Sequence, residues 1–142
     1  MTERFKILLL DDDETYHFII ENICDMMIAD AELHWAKTTA EALDMVANNA
    51  DNPFDVILVD LVLDVESGWD FIATYQSSFN QLMPKTILVV NSVDFSRFTK
   101  QKAAAYPSVS AYYVKPLNDL MIEDILTQFF DGKFLKKVGQ TD

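Results

Sequence analysis

Three consecutive aspartates, Asp11, Asp12 and Asp13, close the apolar run Ile7 to Leu10. Asp60 closes a second run, Val56 to Val59, and Asn91-Ser92 close a third, Ile87 to Val90. Lys115 closes a fourth, Ala111 to Val114. Carboxylates held a few ångströms apart raise one another's pKa, and a hard divalent cation resolves the conflict. Mg²⁺ typically takes one or two carboxylates and keeps its other positions for waters or a phosphoryl oxygen. An ammonium group such as that of Lys115 adds charge complementary to a phosphoryl anion. Brought together, Asp11, Asp12, Asp60 and Lys115, with Asn91 or Ser92 beside them, predict a Mg²⁺-phosphoryl site. Helix capping explains Asp13, but three successive aspartates exceed what a cap requires.

The elements that must gather these residues are legible as a pattern. A weaker fifth run, Leu33 to Ala36, ends at Lys37-Thr38. Runs this short and uniformly apolar suit parallel strands buried on both faces. Between them lie amphipathic segments. Glu14 to Ile28 places Phe18, Ile19, Ile23, Met26 and Met27 on one broad stripe. Thr39 to Asn48 opens with Thr38 three residues before Glu41, a capping-box spacing, and offers Ala40, Leu43, Val46 and Ala47 as its apolar face. Ser67 to Phe79 carries Phe71, Ile72 and Tyr75, and Phe95 to Ala105 is followed by Pro107 as a stop signal. Leu117 to Phe130 opens after Pro116 and ends before Gly132. The order βαβαβαβαβα predicts an α/β fold, a doubly wound five-stranded parallel sheet with helices on both faces. In such a sheet ligands bind beyond the carboxyl ends of the strands, which is where all four polar strand ends fall.

Composition excludes several classes. Only three glycines occur in 142 residues, Gly68, Gly132 and Gly139, too few and too scattered for a glycine-rich phosphate loop or a dinucleotide fingerprint. The 23 acidic against 11 basic residues give a net charge of −12, which repels nucleic acid backbones, so no direct nucleic acid binding is expected. The single cysteine, Cys24, has no partner for an internal disulfide and reads as a buried structural thiol. Neither a signal-peptide pattern nor an apolar stretch of ~20 residues is present, which predicts a cytoplasmic protein without a membrane segment.

Three segments in order, ILLLDDDE (Ile7 to Glu14), VILVDLVLDVESG (Val56 to Gly68) and YYVKPL (Tyr112 to Leu117), resemble the receiver domain of two-component response regulators. Gly68 falls eight residues after Asp60, as in that family. The resemblance covers roughly residues 5 to 130 and implies a flavodoxin-like strand order, 2-1-3-4-5. It implies a receiver domain over 1–131, a short tail over 132–142 containing Lys133, Lys136 and Lys137, and no output domain. It further implies that Asp60 accepts a phosphoryl group from the phosphohistidine of a histidine kinase or phosphotransfer protein. Asp11 and Asp12, with Asp60 and the Val62 carbonyl, would hold Mg²⁺. Lys115, aimed by a cis-like bond before Pro116, would pair with a phosphoryl oxygen. Tyr112 matches the family's aromatic switch, and the output would be binding to a downstream target protein, as a monomer or weak homodimer. Such a protein is a phosphoacceptor switch rather than an enzyme, with at most weak autophosphatase activity.

Two departures stand against that pattern. Asp64 occupies the place of the usual proline four residues after the acceptor, and the strand-four hydroxyl is replaced by Asn91 or Val90, with Ser92 the nearest hydroxyl. These departures keep open a phosphorylation-independent pseudo-receiver that acts as a binding module. A phosphohydrolase resembling the haloacid dehalogenase group needs a second aspartate two residues after the nucleophile, and Val62 stands there. His17 and His34 make no catalytic pair. Trp35 and Trp69 read as packing residues, and Phe95, Phe98, Tyr112 and Tyr113 divide between core and partner surface.

Overall fold

The structure is a computed structural model that describes residues 4–136. Five strands alternate with five helices: β1 (Phe5–Leu10), α1 (Glu14–Met27), β2 (Ala31–Ala36), α2 (Thr39–Asn48), β3 (Val56–Val59), α3 (Gly68–Ser78), β4 (Ile87–Ser92), α4 (Arg97–Ala104), β5 (Val109–Val114) and α5 (Asp119–Phe130). A 3₁₀ turn, Asn80–Leu82, follows α3. The strands are all parallel in the order β2-β1-β3-β4-β5. The expected topology is therefore realised. Leu10 is in register with both Ala36 and Val59, and Val59 with Val90, so the polar residues after β1 and β3 emerge at one edge.

Alternation along β1 explains how one sheet feeds two cores. Leu8 and Leu10 join the cluster under α2 and α3, while Phe5, Ile7 and Leu9 join the cluster under α1 and α5. Side-chain caps start each α-helix: Asp13 for α1, Thr38 for α2, Ser67 for α3, Ser96 for α4 and Asn118 for α5. α5 ends through left-handed residues Asp131 and Gly132.

Two helices bury only part of the expected face: Ile23 and Met27 of α1 and Leu43 and Val46 of α2 pack on the cores, and the rest of each stripe turns outward. In α1 the buried residues are Tyr16, Ile20 and Cys24, with Ile23 and Met27 half-buried, while Phe18, Ile19 and Met26 are exposed. The stripe i, i+4, i+8 begins at a tyrosine, which a count of strictly apolar residues misses, and ends at Cys24, buried as its sequence setting indicates. In α2 the buried set is Thr39, Ala42 and Val46, and Ala40 and Ala47 face outward. The residues after α5 pack on the domain. Phe134 is buried against Phe5 and Phe130, Leu135 pairs with Ile28, and Lys136 N donates to Met27 O at 2.8 Å. Lys137 lies outside the described residues. Among the described residues, no helix is long and apolar enough to cross a membrane.

Candidate functional site

The backbones of two aspartates continue the sheet's hydrogen bonding past the last strand residues. Asp11 N donates to Ala36 O at 3.1 Å, and Asp60 N donates to Leu10 O at 3.0 Å. Their side chains thus start from fixed points. One oxygen from each of Asp11, Asp12 and Asp60 lies within 4.8 Å of the others. Asp11 is fully buried, Asp60 is buried and Asp12 half-buried. Lys115 Nζ reaches in from the end of β5, 2.5 Å from Asp11 Oδ2 and 3.2 Å from Asp60 Oδ2.

Charge balance at this spot is unfavourable. Burial pushes the carboxyls of Asp11 and Asp60 above the usual range, and Lys115 only partly opposes it. For Lys115 burial favours the neutral amine, but Asp11 and Asp60 outweigh it and raise its pKa. Three carboxylates face one ammonium group. Asp11 Oδ2 is buried and ion-paired with Lys115 Nζ at 2.5 Å. An all-oxygen donor set of three acids with a single counter-charge fits a hard divalent cation.

The loop after β3 is built to bring its backbone near the acids. Val62 N donates to Asp60 Oδ1 at 3.2 Å while the Val62 side chain is exposed. Gly68 N donates to Leu61 O, and the loop folds so closely that a Cβ on Gly68 would collide with the Asp60 carbonyl oxygen. Glycine is required there by space, not by φ. Asp64 N donates to Asp12 Oδ2 at 2.5 Å, a bond that a proline at this position has no N–H to make. Glu66 reaches across to accept from Thr39 N at the start of α2.

The structure places the remaining sequence candidates as follows. Asn91 and Ser92 belong to β4 and are buried, one on each face of the sheet. Asn91 Oδ1 accepts from the Tyr16 hydroxyl at 2.5 Å and its Nδ2 donates to Tyr113 O at 3.1 Å. Ser92 Oγ accepts from Asp94 N at 3.2 Å. Val90 is a core residue. Tyr112 is half-buried and its hydroxyl donates to Asp94 O, on the β4–α4 loop rather than at the acids. The Lys115-Pro116 peptide is cis. Phe95 and Phe98 are both exposed, on the α4 side.

Two residues near the acids do more than their sequence context indicates, Trp35, expected to pack, and Tyr16, outside the expected apolar stripe. Trp35 Nε1 donates to Asp11 O at 2.7 Å, and its ring stacks on His17 at 4.2 Å. Tyr16 accepts at its hydroxyl from Leu117 N at 3.0 Å, and Lys115 Nζ sits 4.3 Å from its ring centroid. The only sequence signal for Tyr16 was its four-residue spacing from Ile20.

No family model matches the sequence, and no curated protein matches it. Solved structures do. A two-component response regulator from Cytophaga hutchinsonii superposes with a TM-score of 0.81 at 21% identity, covering 92% of this chain and 99% of that one. The phosphorylated cyanobacterial phytochrome response regulator RcpA gives 0.76 at 20% identity, over 95% of this chain and 100% of its own. The chemotaxis response regulator CheY4 of Vibrio cholerae gives 0.71 at 23% identity, over 90% and 100%. At these identities the likeness establishes the fold: the chain has the five-stranded fold of response regulator receiver domains.

Proposed function

We propose that the chain is a phosphorylation-dependent signalling receiver in which Asp60 accepts a phosphoryl group from the phosphohistidine of a histidine kinase or phosphotransfer protein. The observation that carries this reading is the convergence of Asp11, Asp12 and Asp60 within 4.8 Å, with Lys115 Nζ touching two of them. Asp11, Asp12 and Asp60, with the Val62 carbonyl, are the residues that would hold Mg²⁺. The bound cation would supply charge neutralisation for the transferring phosphoryl oxygens.

The chain's own groups do the rest. An Asp60 carboxylate oxygen attacks phosphorus as the P–N bond of the donor breaks, and that electron pair stays on the imidazole nitrogen. The product is an acyl phosphate on Asp60. Transfer of this kind has a loose transition state, so positioning and charge compensation by Lys115 supply most of the rate. Water attack on phosphorus later returns the carboxylate and inorganic phosphate, the only turnover expected. The added charge would bias the loops around Tyr112 and the exposed Phe95 and Phe98, and a downstream protein would read that face.

One observation favours a second reading, a phosphorylation-independent binding module. The strand-four polar groups are already engaged, Asn91 with Tyr16 and Tyr113, and Ser92 with Asp94. Incubation with Mg²⁺ and acetyl phosphate, followed by intact mass, separates the two. A single phosphoryl adduct, abolished by EDTA and by Asp60→Asn, is the expected result. No adduct and no Mg²⁺-dependent rise in melting temperature would select the binding module.

A further inference from the structure

Tyr16 is the one buried side chain of α1 that reaches the acid site, and the network around it closes on itself. Its hydroxyl donates to Asn91 Oδ1 at 2.5 Å and accepts from Leu117 N at 3.0 Å. Its ring carries the Lys115 ammonium at 4.3 Å. Asn91 Nδ2 in turn donates to Tyr113 O, two residues before Lys115. Lys115 N donates to Ser92 O at 2.9 Å, next to Asn91. A single phenol therefore ties α1, β4 and both sides of the Lys115-Pro116 segment, while its π face attracts the lysine charge.

Both bonding roles of the hydroxyl are used, and each has a consequence. The bond to Leu117 N fixes the chain just after Lys115. The bond to Asn91 holds that amide toward α1, so the strand-four residue beside the acids is oriented by Tyr16. A long lysine stem has several rotamers, and only some deliver Nζ to Asp11 and Asp60. The ring and the two hydrogen bonds narrow that choice before any ligand arrives.

We infer that Tyr16 is a positioning residue that holds Lys115 over the Asp11–Asp60 pair for compensation of the transferring phosphoryl charge. This rests on the phosphoacceptor reading above, but its first test does not. Tyr16→Phe keeps the ring and removes both hydrogen bonds. In the full chain, the Lys115 ε-methylene protons are expected to show an upfield ring-current shift from the Tyr16 ring, with Tyr16→Leu as the ringless reference. In Tyr16→Phe they are expected to move toward that reference. Wild-type shifts in Tyr16→Phe would overturn the inference.

The second test uses Mg²⁺ and acetyl phosphate. Tyr16→Phe is expected to slow acyl phosphate formation by about tenfold while leaving Mg²⁺ affinity within about twofold, the split that a misplaced but present Lys115 produces. A control on the same helix, Ile20→Ala, truncates a fully buried side chain away from the acids and sets the rate loss that lost stability alone produces. If Ile20→Ala slows acyl phosphate formation as much as Tyr16→Phe, the role of Tyr16 is merely structural and the inference falls. If the wild-type chain takes no phosphoryl group, the phosphoacceptor reading fails, and the Lys115 shifts still decide the placement of Tyr16.

Discussion

The two ends of the sheet each hold a lysine, buried at one and half-buried at the other, and they treat it in opposite ways. At the amino end Lys6 is buried, yet Nζ donates to Asn49 Oδ1 at 2.7 Å and Asn52 O at 2.6 Å and lies 5.0 Å from the Phe54 ring centroid. Its hydrogen bonds go to neutral acceptors in good geometry. At the carboxyl end Lys115 Nζ is ion-paired with Asp11 and Asp60, and Asp12 completes the acid group beside them. A buried polar group is ordinarily satisfied because leaving it unsatisfied costs stability. The amino end follows that rule as a structural element does. The carboxyl end gathers three acids around one ammonium group, an excess of negative charge that a cation would correct.

Exchanging each lysine for methionine tests that contrast most severely. Lys115→Met leaves two buried carboxylates without their counter-charge and is expected to cost about 3 kcal/mol or more in chelator at neutral pH. Much of that loss should return on adding Mg²⁺. Lys6→Met keeps the hydrophobic stem and orphans two neutral acceptors, for about 1–3 kcal/mol, with no response to Mg²⁺. Urea unfolding of both variants with and without Mg²⁺ measures this. Equal losses, both indifferent to Mg²⁺, would mean that the two ends do not differ electrically.

The glycines provide a second, smaller contrast. At Gly68 an added Cβ would collide with the Asp60 carbonyl and approach Leu61 Cα to 2.9 Å. Gly68→Ala should therefore displace the loop under the acids, costing about 3 kcal/mol and sharply reducing acyl phosphate formation. At Gly132 the nearest atom to an added Cβ is Leu135 Cδ1, at an ordinary 3.8 Å, and only the φ of +72° opposes a side chain. Gly132→Ala should cost about 1–2 kcal/mol and leave phosphoryl acceptance intact. Thermal unfolding beside the intact-mass assay separates the steric cost from the conformational one.

How these ends were legible in the sequence follows from the range of the interactions involved. Asp11, Asp12, Asp60 and Lys115 each follow a strand, and parallel topology delivers strand ends to one rim, so local pattern sufficed. The Asp13 cap and the Thr38–Glu41 start of α2 were local too. The buried stripe of α1 was not, because Tyr16 is chosen by partners 75 and 101 residues away, Asn91 and Leu117. The same distance hid the orientation of Asn91. A two-residue extension of β4 beyond its apolar run commits Asn91 and Ser92 to opposite faces, and no composition count reports which face the acids occupy. The Asp64 N–H bond to Asp12 was also invisible, since the departure from proline was readable but the donor's target was tertiary.

The smallest expected effect is also the most direct reading of the two environments: the acids should titrate in opposite directions at opposite ends. Near the amino end Glu32 is held below the ordinary carboxyl range, first by its contact with His34 Nε2 at 2.6 Å, and Arg4 adds to it. A depressed folded pKa contributes stability that is present above the unfolded value of 4.5 and is lost as pH falls through the folded value. Asp11 and Asp60 are raised above 3.8, chiefly by burial. For them the folded state holds its protons longer than the unfolded chain, so their contribution falls as pH rises from 3.8 through the folded values. Carboxyl ¹³C titration in chelator should show Glu32 ionising earlier than a free glutamate and the Asp11–Asp60 pair later than a free aspartate. A salt titration adds the discriminating step, because Glu32 is partly exposed and screening should move it toward its ordinary value, whereas the buried pair should hardly respond. If the pair titrated like exposed aspartates, burial would not be what distinguishes the carboxyl end. The case for a cation-ready site would then rest on proximity alone.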